Sequence, residues 1–484
     1  MTTIKLDPGA ALLLDALHGA GHAAYAVGGC VRDSLLGLAP HDWDLCTSAR
    51  PEQVMALFGE EKCIPTGLQH GTVTVKQGGR LYETTTFRTE GAYSDGRHPD
   101  AVCFVPDVRE DLARRDFTIN AMAYSAEEGL IDPFGGRDDL AAHLVRAVGE
   151  PERRFEEDAL RILRLYRFAA RFGFAINPAT GAAARALGPH LDCVSAERIQ
   201  EELLKLLAAP RPGSYLEPAV LAVILPELEP EKQPEQFAEL CRTIDRIEPT
   251  AENVPARLAA LLCPLGEAGA RKALRKLKCS NALTDEVTAL EREAGGGAGS
   301  FLLGHEFELR HPADALCLER HSHPAGRCPN SNSLFPPQAA VVAVAGHSIA
   351  RPIACGNRVP PQRTVLGETP GTPNTTLTVQ AKRLLGRYEL PTIQRLTALC
   401  SARHPEQTGA FAALRAEAEQ LTAENACCRV SQLAVNGRDL MAAGVRPGPG
   451  LRQVLNALLE AVITGQTPNE KDALLAAAAQ FSAS

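Results

Sequence analysis

Apolar and polar positions alternate most clearly in two short runs near the beginning of the chain. Gly71-Thr-Val-Thr-Val-Lys76 and Leu81-Tyr-Glu-Thr-Thr-Thr-Phe87 are rich in β-branched residues and are joined through Gln77-Gly-Gly-Arg80. This spacing predicts two antiparallel strands and a tight turn. From about residue 150 the pattern becomes helical. The run from Glu156 to Phe172 is apolar around most of its circumference, interrupted by one line formed by Asp158, Arg161, Arg164, Arg167 and Arg171. Steps of three and four residues stack these five on one face of a predicted helix. Amphipathic helices are predicted over Ala196–Leu207 and Val254–Leu262, and helical signals return at Val379–Leu385, from Gly409 to Glu424, and in short glycine-capped pieces from Leu433 to Gly465.

The pattern therefore predicts an α+β protein, with a small sheet in roughly the first 145 residues and helices afterwards. Residues 296–378 break it. Gly295-Gly-Gly-Ala-Gly299 opens this stretch, and Pro, Asn, Ser, Gly and Cys recur without a sustained period, so it reads as an insertion or linker. Cys317, His321, His323 and Cys328 lie within it, but their spacing fits no common zinc pattern and they are read as coincidental.

Composition narrows the picture only modestly. A chain of 484 residues is too long for one compact core and predicts several domains. Its 14 cysteines are scattered, with no Cys-x-x-Cys pair, and are expected to be reduced thiols. No apolar run approaches the roughly 20 residues that span a bilayer, and the expected location is cytoplasmic. The formal charge of −8 gives no overall attraction to nucleic acid, so contact with RNA would rest on local basic groups.

The candidate chemistry lies in Tyr25-Ala-Val-Gly-Gly-Cys-Val-Arg-Asp33 and the nearby His41-Asp-Trp-Asp-Leu45. If residues 42–45 are extended, Asp42 and Asp44 project together, separated by about 6.5 Å of rise, while Trp43 and Leu45 enter a core. Two such acids suit a pair of Mg²⁺ ions for in-line attack by a hydroxyl on a nucleotide α-phosphate. Gly28 and Gly29 let the backbone approach phosphate oxygens, and Arg32 adds a fork of donors. Glu83, on the second predicted strand, is a further carboxylate that either joins this site or is solvated. The four arginines after Asp158 repel one another on an otherwise apolar helix, which calls for an anionic or polar ligand or, on the alternative reading, marks an Arg-rich solvated face paired to neighbouring acids.

These motifs resemble the class II tRNA nucleotidyltransferases, the CCA-adding enzymes, and the related bacterial poly(A) polymerases. The resemblance rests on Gly-Gly-x-Val-Arg-Asp with Asp42-x-Asp44, then Thr85-Thr-Phe-Arg-Thr-Glu-Gly-Ala-Tyr-Ser-Asp-Gly-Arg-His-Pro99, Arg114-Arg-Asp-Phe-Thr-Ile-Asn-Ala121, Ile131-Asp-Pro-Phe-Gly-Gly136 and Glu157-Asp-Ala-Leu-Arg161. It implies a nucleotidyltransferase head over 1–145, a helical neck for nucleotide selection over 146–210, a helical body over 211–295 and a tRNA-binding helical tail over 379–484. It implies that Asp42 and Asp44 bind Mg²⁺, that Gly29, Arg32 and Arg115 contact the nucleotide, and that Asp158 and Arg161, with Arg164 and Arg167 close by, read the incoming base.

The implied activity is template-independent addition of C, C and A to tRNA from CTP and ATP. A poly(A) polymerase and a partial CC- or A-adding enzyme are the alternatives, and a non-catalytic RNA-binding protein is disfavoured because both acids are present. The segment with Arg88, Asp95 and Arg97 resembles the flexible loop of CCA-adding enzymes. Cys263-Pro-Leu-Gly-Glu267 stands where an appended phosphohydrolase would carry a His-Asp pair, so that activity is not expected. Lys382, Arg383, Arg387 and Arg395 are candidate RNA contacts, equally readable as solvated charge.

Overall fold

A computed structural model describes residues 3–91, 102–295 and 376–481. The first region is a seven-stranded sheet flanked by short helices. Its strands are β1 (Ala24–Val27), β2 (Leu45–Thr47), β3 (Cys63–Gly67), β4 (Thr72–Gln77), β5 (Arg80–Thr86), β8 (Ala123–Ser125) and β9 (Gly129–Ile131), in the order β3-β4-β5-β2-β1-β8-β9. The separate pair β6 (Arg88–Glu90) and β7 (Val102–Phe104) stands apart from this sheet.

The expected hairpin is present. β4 and β5 pair antiparallel to Gln77↔Arg80, with Gly78 and Gly79 both at positive φ, the backbone a two-residue primed turn requires. The following strand contact, β2 with β5, is parallel.

Helices α1 (Pro8–Gly19), α2 (Gly29–Leu35), α3 (Pro51–Phe58), α4 (Val108–Ala113) and α5 (Gly136–Ala141) accompany the sheet. Then come α6 (Pro151–Glu157), α7 (Leu160–Phe172), α8 (Pro178–Ala186) and α9 (Ala196–Leu207). The remaining helices are α10 (Pro218–Ile224), α11 (Pro234–Arg246), α12 (Val254–Leu262), α13 (Gly266–Lys276), α14 (Asn281–Ala294), α15 (Thr376–Arg387), α16 (Leu390–Arg403), α17 (Thr408–Ala423), α18 (Gly437–Ala442), α19 (Pro449–Ile463) and α20 (Lys471–Phe481).

Three departures from the sequence expectations stand out. The helix predicted over Glu156–Phe172 is two helices, because Asp158 is extended (φ −150°, ψ 103°) and its carboxylate accepts the Leu160 N–H at 3.1 Å. An acid in this position caps the second helix instead of continuing the first. The helical region is also not purely helical, since Leu144–Val145 pairs in parallel with Ala175–Ile176. Finally, the segment read as irregular to residue 378 is already helical from Thr376. The rest of that segment, with Cys317, His321, His323 and Cys328, lies outside the described residues, as do Asp95 and Arg97.

One large apolar core runs through the molecule, including Leu13 and Trp43 of the sheet region, Phe155 and Phe168 of α6 and α7, Leu258 of α12 and Leu384 of α15. A small separate core, with Leu440, Leu458 and Leu474, holds the last three helices together. Arg257, fully buried on α12, donates to the carbonyls of Leu207, Ala209 and Ile247 and so ties the end of α9 to the chain after α11. Among the described residues no helix is long and apolar enough to cross a membrane.

Candidate active site

The expected alternation before β2 is present, although the acids precede the strand instead of lying in it. Trp43 and Leu45 are buried, while Asp42 and Asp44 open to the other side. The Asp44 carbonyl accepts the Val27 N–H at 2.9 Å, which holds this approach segment alongside β1. Val27 in turn leads into Gly28. Gly28 sits at φ 76°, a conformation that favours glycine, and a Cβ there would stand 2.8 Å from Arg115 Nη1 and push that guanidinium aside.

Asp42, Asp44, Gly28, Gly29, Arg32, Arg115, Asp158, Arg161, Arg164 and Arg167 all line one cavity of about 560 Å³. The structure therefore brings these expected site residues together, although they come from the turn after β1, α2, the approach to β2, the loop after α4, the link between α6 and α7, and α7 itself. Asp44 is exposed on its cavity side while protein crowds it from the other sides. This burial, reinforced by the neighbouring Glu83 and Asp42 carboxylates and opposed by Arg115, raises its carboxyl to about 6. Glu83 lies on β5 one residue before Thr84, the partner of Leu45, which places it beside Asp44. His41 Nδ1 lies 2.8 Å from Asp42 Oδ1 at the open rim. Among the described residues no group of three or more His, Cys, Asp or Glu side chains is arranged to hold a metal by itself.

The arginine line on α7 is neutralised pair by pair. Arg161 binds Glu157 at 2.8 Å, Arg164 binds Asp116 at 2.6 Å, Arg167 approaches Glu202 at 3.1 Å, and Arg171 approaches Asp33 at 3.3 Å. The predicted repulsion is thus relieved by four carboxylates from four elements, while the guanidinium groups still face the cavity. Arg32 is only 4% exposed; its Nε donates to Asp33 at 2.7 Å and its Nη1 to Asn120 at 2.5 Å. Asn120 donates to Asp116 at 3.0 Å, so the glycine-turn arginine is linked through Asn120 and Asp116 to Arg164 of α7. Burial alone would raise the Asp116 carboxyl, but the Arg164 charge and the hydrogen bonds from Asn120 and Arg164 outweigh it and hold the group far below the usual carboxylate range.

Asp158 and Arg161 sit side by side at the start of α7. Asp158 also accepts from Arg198 Nη2 of α9 at 2.8 Å, and Arg161 donates to the Arg154 and Arg114 carbonyls at 3.1 Å each. The buried Nε of Arg115 has no hydrogen-bond partner, while its Nη2 reaches Asp111 at 3.4 Å. Sequence reasoning did not single out Arg198, Asn120 or Phe168, all of which line the cavity. Arg198 lies on the polar face of an ordinary amphipathic helix, and no local signal distinguishes it. Of the candidate RNA contacts, Arg383 pairs with Glu460, Arg387 lies 3.7 Å from Glu293, and Arg395 donates to Glu286 at 2.6 Å. These pairs favour the reading of those side chains as structural charge.

A glycine turn, a carboxylate pair and an arginine wall sharing one cavity beneath a small sheet define a nucleotidyltransferase. Residues 24–146 match the family described as Poly A polymerase head domain, residues 173–232 the Probable RNA and SrmB- binding site of polymerase A, and residues 388–478 the tRNA nucleotidyltransferase domain 2 putative. A CCA-adding enzyme of Lactiplantibacillus plantarum is 33% identical over 466 residues, which cover 96% of this chain and 93% of that relative. A CCA-adding enzyme of Leuconostoc citreum is 45% identical over 257 residues; this stretch is 53% of this chain and spans 63% of the relative's length. The crystal structure of the Bacillus stearothermophilus CCA-adding enzyme in complex with CTP matches with a TM-score of 0.68 and 30% identity, covering 98% of both chains. The chain belongs to the family of CCA-adding enzymes.

Proposed function

We propose that this protein adds C, C and A to the 3′ end of tRNA from CTP and ATP without a nucleic-acid template. The observation that carries this reading is the single cavity shared by Asp42 and Asp44 with Asp158 and Arg161. Its lining gathers eight arginines beside four aspartates, and the carboxylates that pair these arginines hold guanidinium groups at the cavity wall, where they can offer donors to a triphosphate. The relative solved with CTP shares this fold with a TM-score of 0.68.

In this reading Gly28 and Gly29 admit the triphosphate against the backbone, while Arg32 and Arg115 offer it charge-assisted donors. Asp158 accepts the exocyclic amino group that cytosine and adenine share, and Arg161 donates to the adjacent ring nitrogen. Both groups keep capacity for this. Arg161 spends three of its five N–H hydrogens within the protein, and a carboxylate has about four lone-pair sites, of which Asp158 uses two. Uracil and guanine present a carbonyl and a ring N–H instead, leaving acceptor against acceptor and donor against donor, a mismatch that a buried site rejects strongly.

CCA-adding enzymes generally use divalent metal ions, and here the fitting ion is Mg²⁺. Mg²⁺ is commonly held by one or two carboxylates plus substrate phosphates, which is the donor set that Asp42 and Asp44 would complete with a bound nucleotide. When bound, it would supply activation of the tRNA 3′-hydroxyl and charge neutralisation at the pyrophosphate. We read residues 1–145 as the catalytic head, 146–210 as the neck, 211–295 as the body, 296–378 as an insertion or linker and 379–484 as the tRNA-binding tail.

The test is incorporation of labelled CMP and AMP into tRNA lacking its 3′ end, by this chain and by Asp42→Ala. Ordered C, C, A addition lost in Asp42→Ala is expected. Full activity in the variant would end this account, and a long A tail on generic RNA without use of CTP would replace it with a poly(A) polymerase, to which the Poly A polymerase head match also points.

A further inference from the structure

Phe168 has no reactive group and is 4% exposed, yet it lines the cavity. Three guanidinium groups converge on its ring: Arg167 at 4.4 Å from the centroid, Arg32 at 5.3 Å and Arg164 at 5.4 Å. All fall within the roughly 6 Å over which a cation is attracted to an aromatic quadrupole. One of the three belongs to the glycine-turn motif and two to α7, so arginines of both groups meet on this ring; the neighbouring Phe172 holds a second such meeting, with Arg32 at 4.8 Å and Arg171 at 5.0 Å. The ring is itself fixed. Phe117 abuts it edge-on at 5.8 Å, and Phe172 lies parallel to it at 6.3 Å.

Three like charges around one ring would separate if only sterics held them. Each also has a carboxylate partner: Asp33 for Arg32, Asp116 for Arg164 and Glu202 for Arg167. Those acids fix each guanidinium at one end, and the ring fixes its plane. A guanidinium already held in plane loses less side-chain entropy when a ligand binds, which is the gain from preorganisation.

We propose that Phe168 is a positioning residue for nucleotide binding, an aromatic floor that sets Arg32, Arg164 and Arg167 in register with one another through cation–π contact. This rests on the reading of the cavity as the nucleotide site. The property that matters is the electron density of the ring, not its bulk.

The test uses the full chain with Phe168 replaced by phenylalanines carrying increasing numbers of ring fluorines, which drain the π face with little change of size, together with Phe168→Leu and Phe168→Tyr. CTP affinity by calorimetry and KM and kcat for CTP and ATP on trimmed tRNA are measured for each. The expected result is a stepwise rise in Kd and KM with fluorination, reaching roughly tenfold for the fully fluorinated ring, with kcat changed much less and the urea midpoint held. Phe168→Leu should match that upper limit and Phe168→Tyr should stay near the parent chain. If fluorination leaves Kd and KM unchanged while Phe168→Leu raises them, the ring acts by packing alone and the proposal is overturned. Should Phe168→Leu fail to fold, the fluorinated series still decides. An unmodified chain that neither binds CTP nor extends tRNA would overturn both this proposal and the functional reading beneath it, whereas an active but fluorination-insensitive chain overturns this one only.

Discussion

Arg164 grips Asp116 through two nitrogens, with Nε at 2.9 Å and Nη2 at 2.6 Å from the same carboxylate oxygen, and so joins α7 to the loop that follows α4. Because the folded state holds the Asp116 carboxyl far below its ordinary value of about 3.9, this pair contributes stability that is complete above that value and is lost as pH falls below it. Asp116→Asn should lower stability at neutral pH by on the order of 3 kcal/mol, as expected for breaking a mostly buried pair. It should also flatten the acid side of a plot of thermal midpoint against pH. A variant with the parent's acid slope would show that Asp116 is not the group responsible.

Gly28→Ala should fold and bind poorly. The substitution places a Cβ in a left-handed conformation and against Arg115, a local cost of about 1–2 kcal/mol. Nucleotide incorporation should fall at least tenfold while the circular dichroism spectrum is kept. Parent-like incorporation would mean that the turn does not approach the nucleotide.

Asp158→Ala should act on selection more than on speed. Without the acceptor for an exocyclic amino group, discrimination of CTP over UTP should drop by roughly a hundredfold, measured as the ratio of kcat/KM values. Unchanged discrimination would move base recognition elsewhere in the cavity.

Arg257→Met should destabilise the fold without touching nucleotide affinity. It strands the Leu207, Ala209 and Ile247 carbonyls in the interior, at roughly 1–3 kcal/mol for each acceptor left unpaired, partly offset by removing a buried charge. A lowered urea midpoint with KM for CTP held is the expected pair of readings.

The sequence made the acids legible because Trp43 and Leu45 are apolar in phase between and beyond them, so the alternation declares itself even outside the strand. The arginine line was equally legible, since a period of three to four can be read from a single segment. Its partners were not. Asp33, Asp116 and Glu202 come from places far apart in the chain, and only the fold shows which guanidinium groups they meet, Asp33 serving both Arg32 and Arg171. The break before α7 escaped notice because Asp158 fits the polar stripe of a continuous helix as well as it fits a cap. Phe168 was hidden for the opposite reason, as an aromatic on an apolar helix looks like ordinary core.

The sheet closes late in synthesis. β1 is flanked by β2 on one side and by β8, about a hundred residues downstream, on the other, and Leu144–Val145 finds its partner only at Ala175–Ile176. Until β8 emerges, β1 keeps an unpaired edge, so a nascent or truncated product ending before residue 123 should depend on chaperones and be an early target of proteolysis.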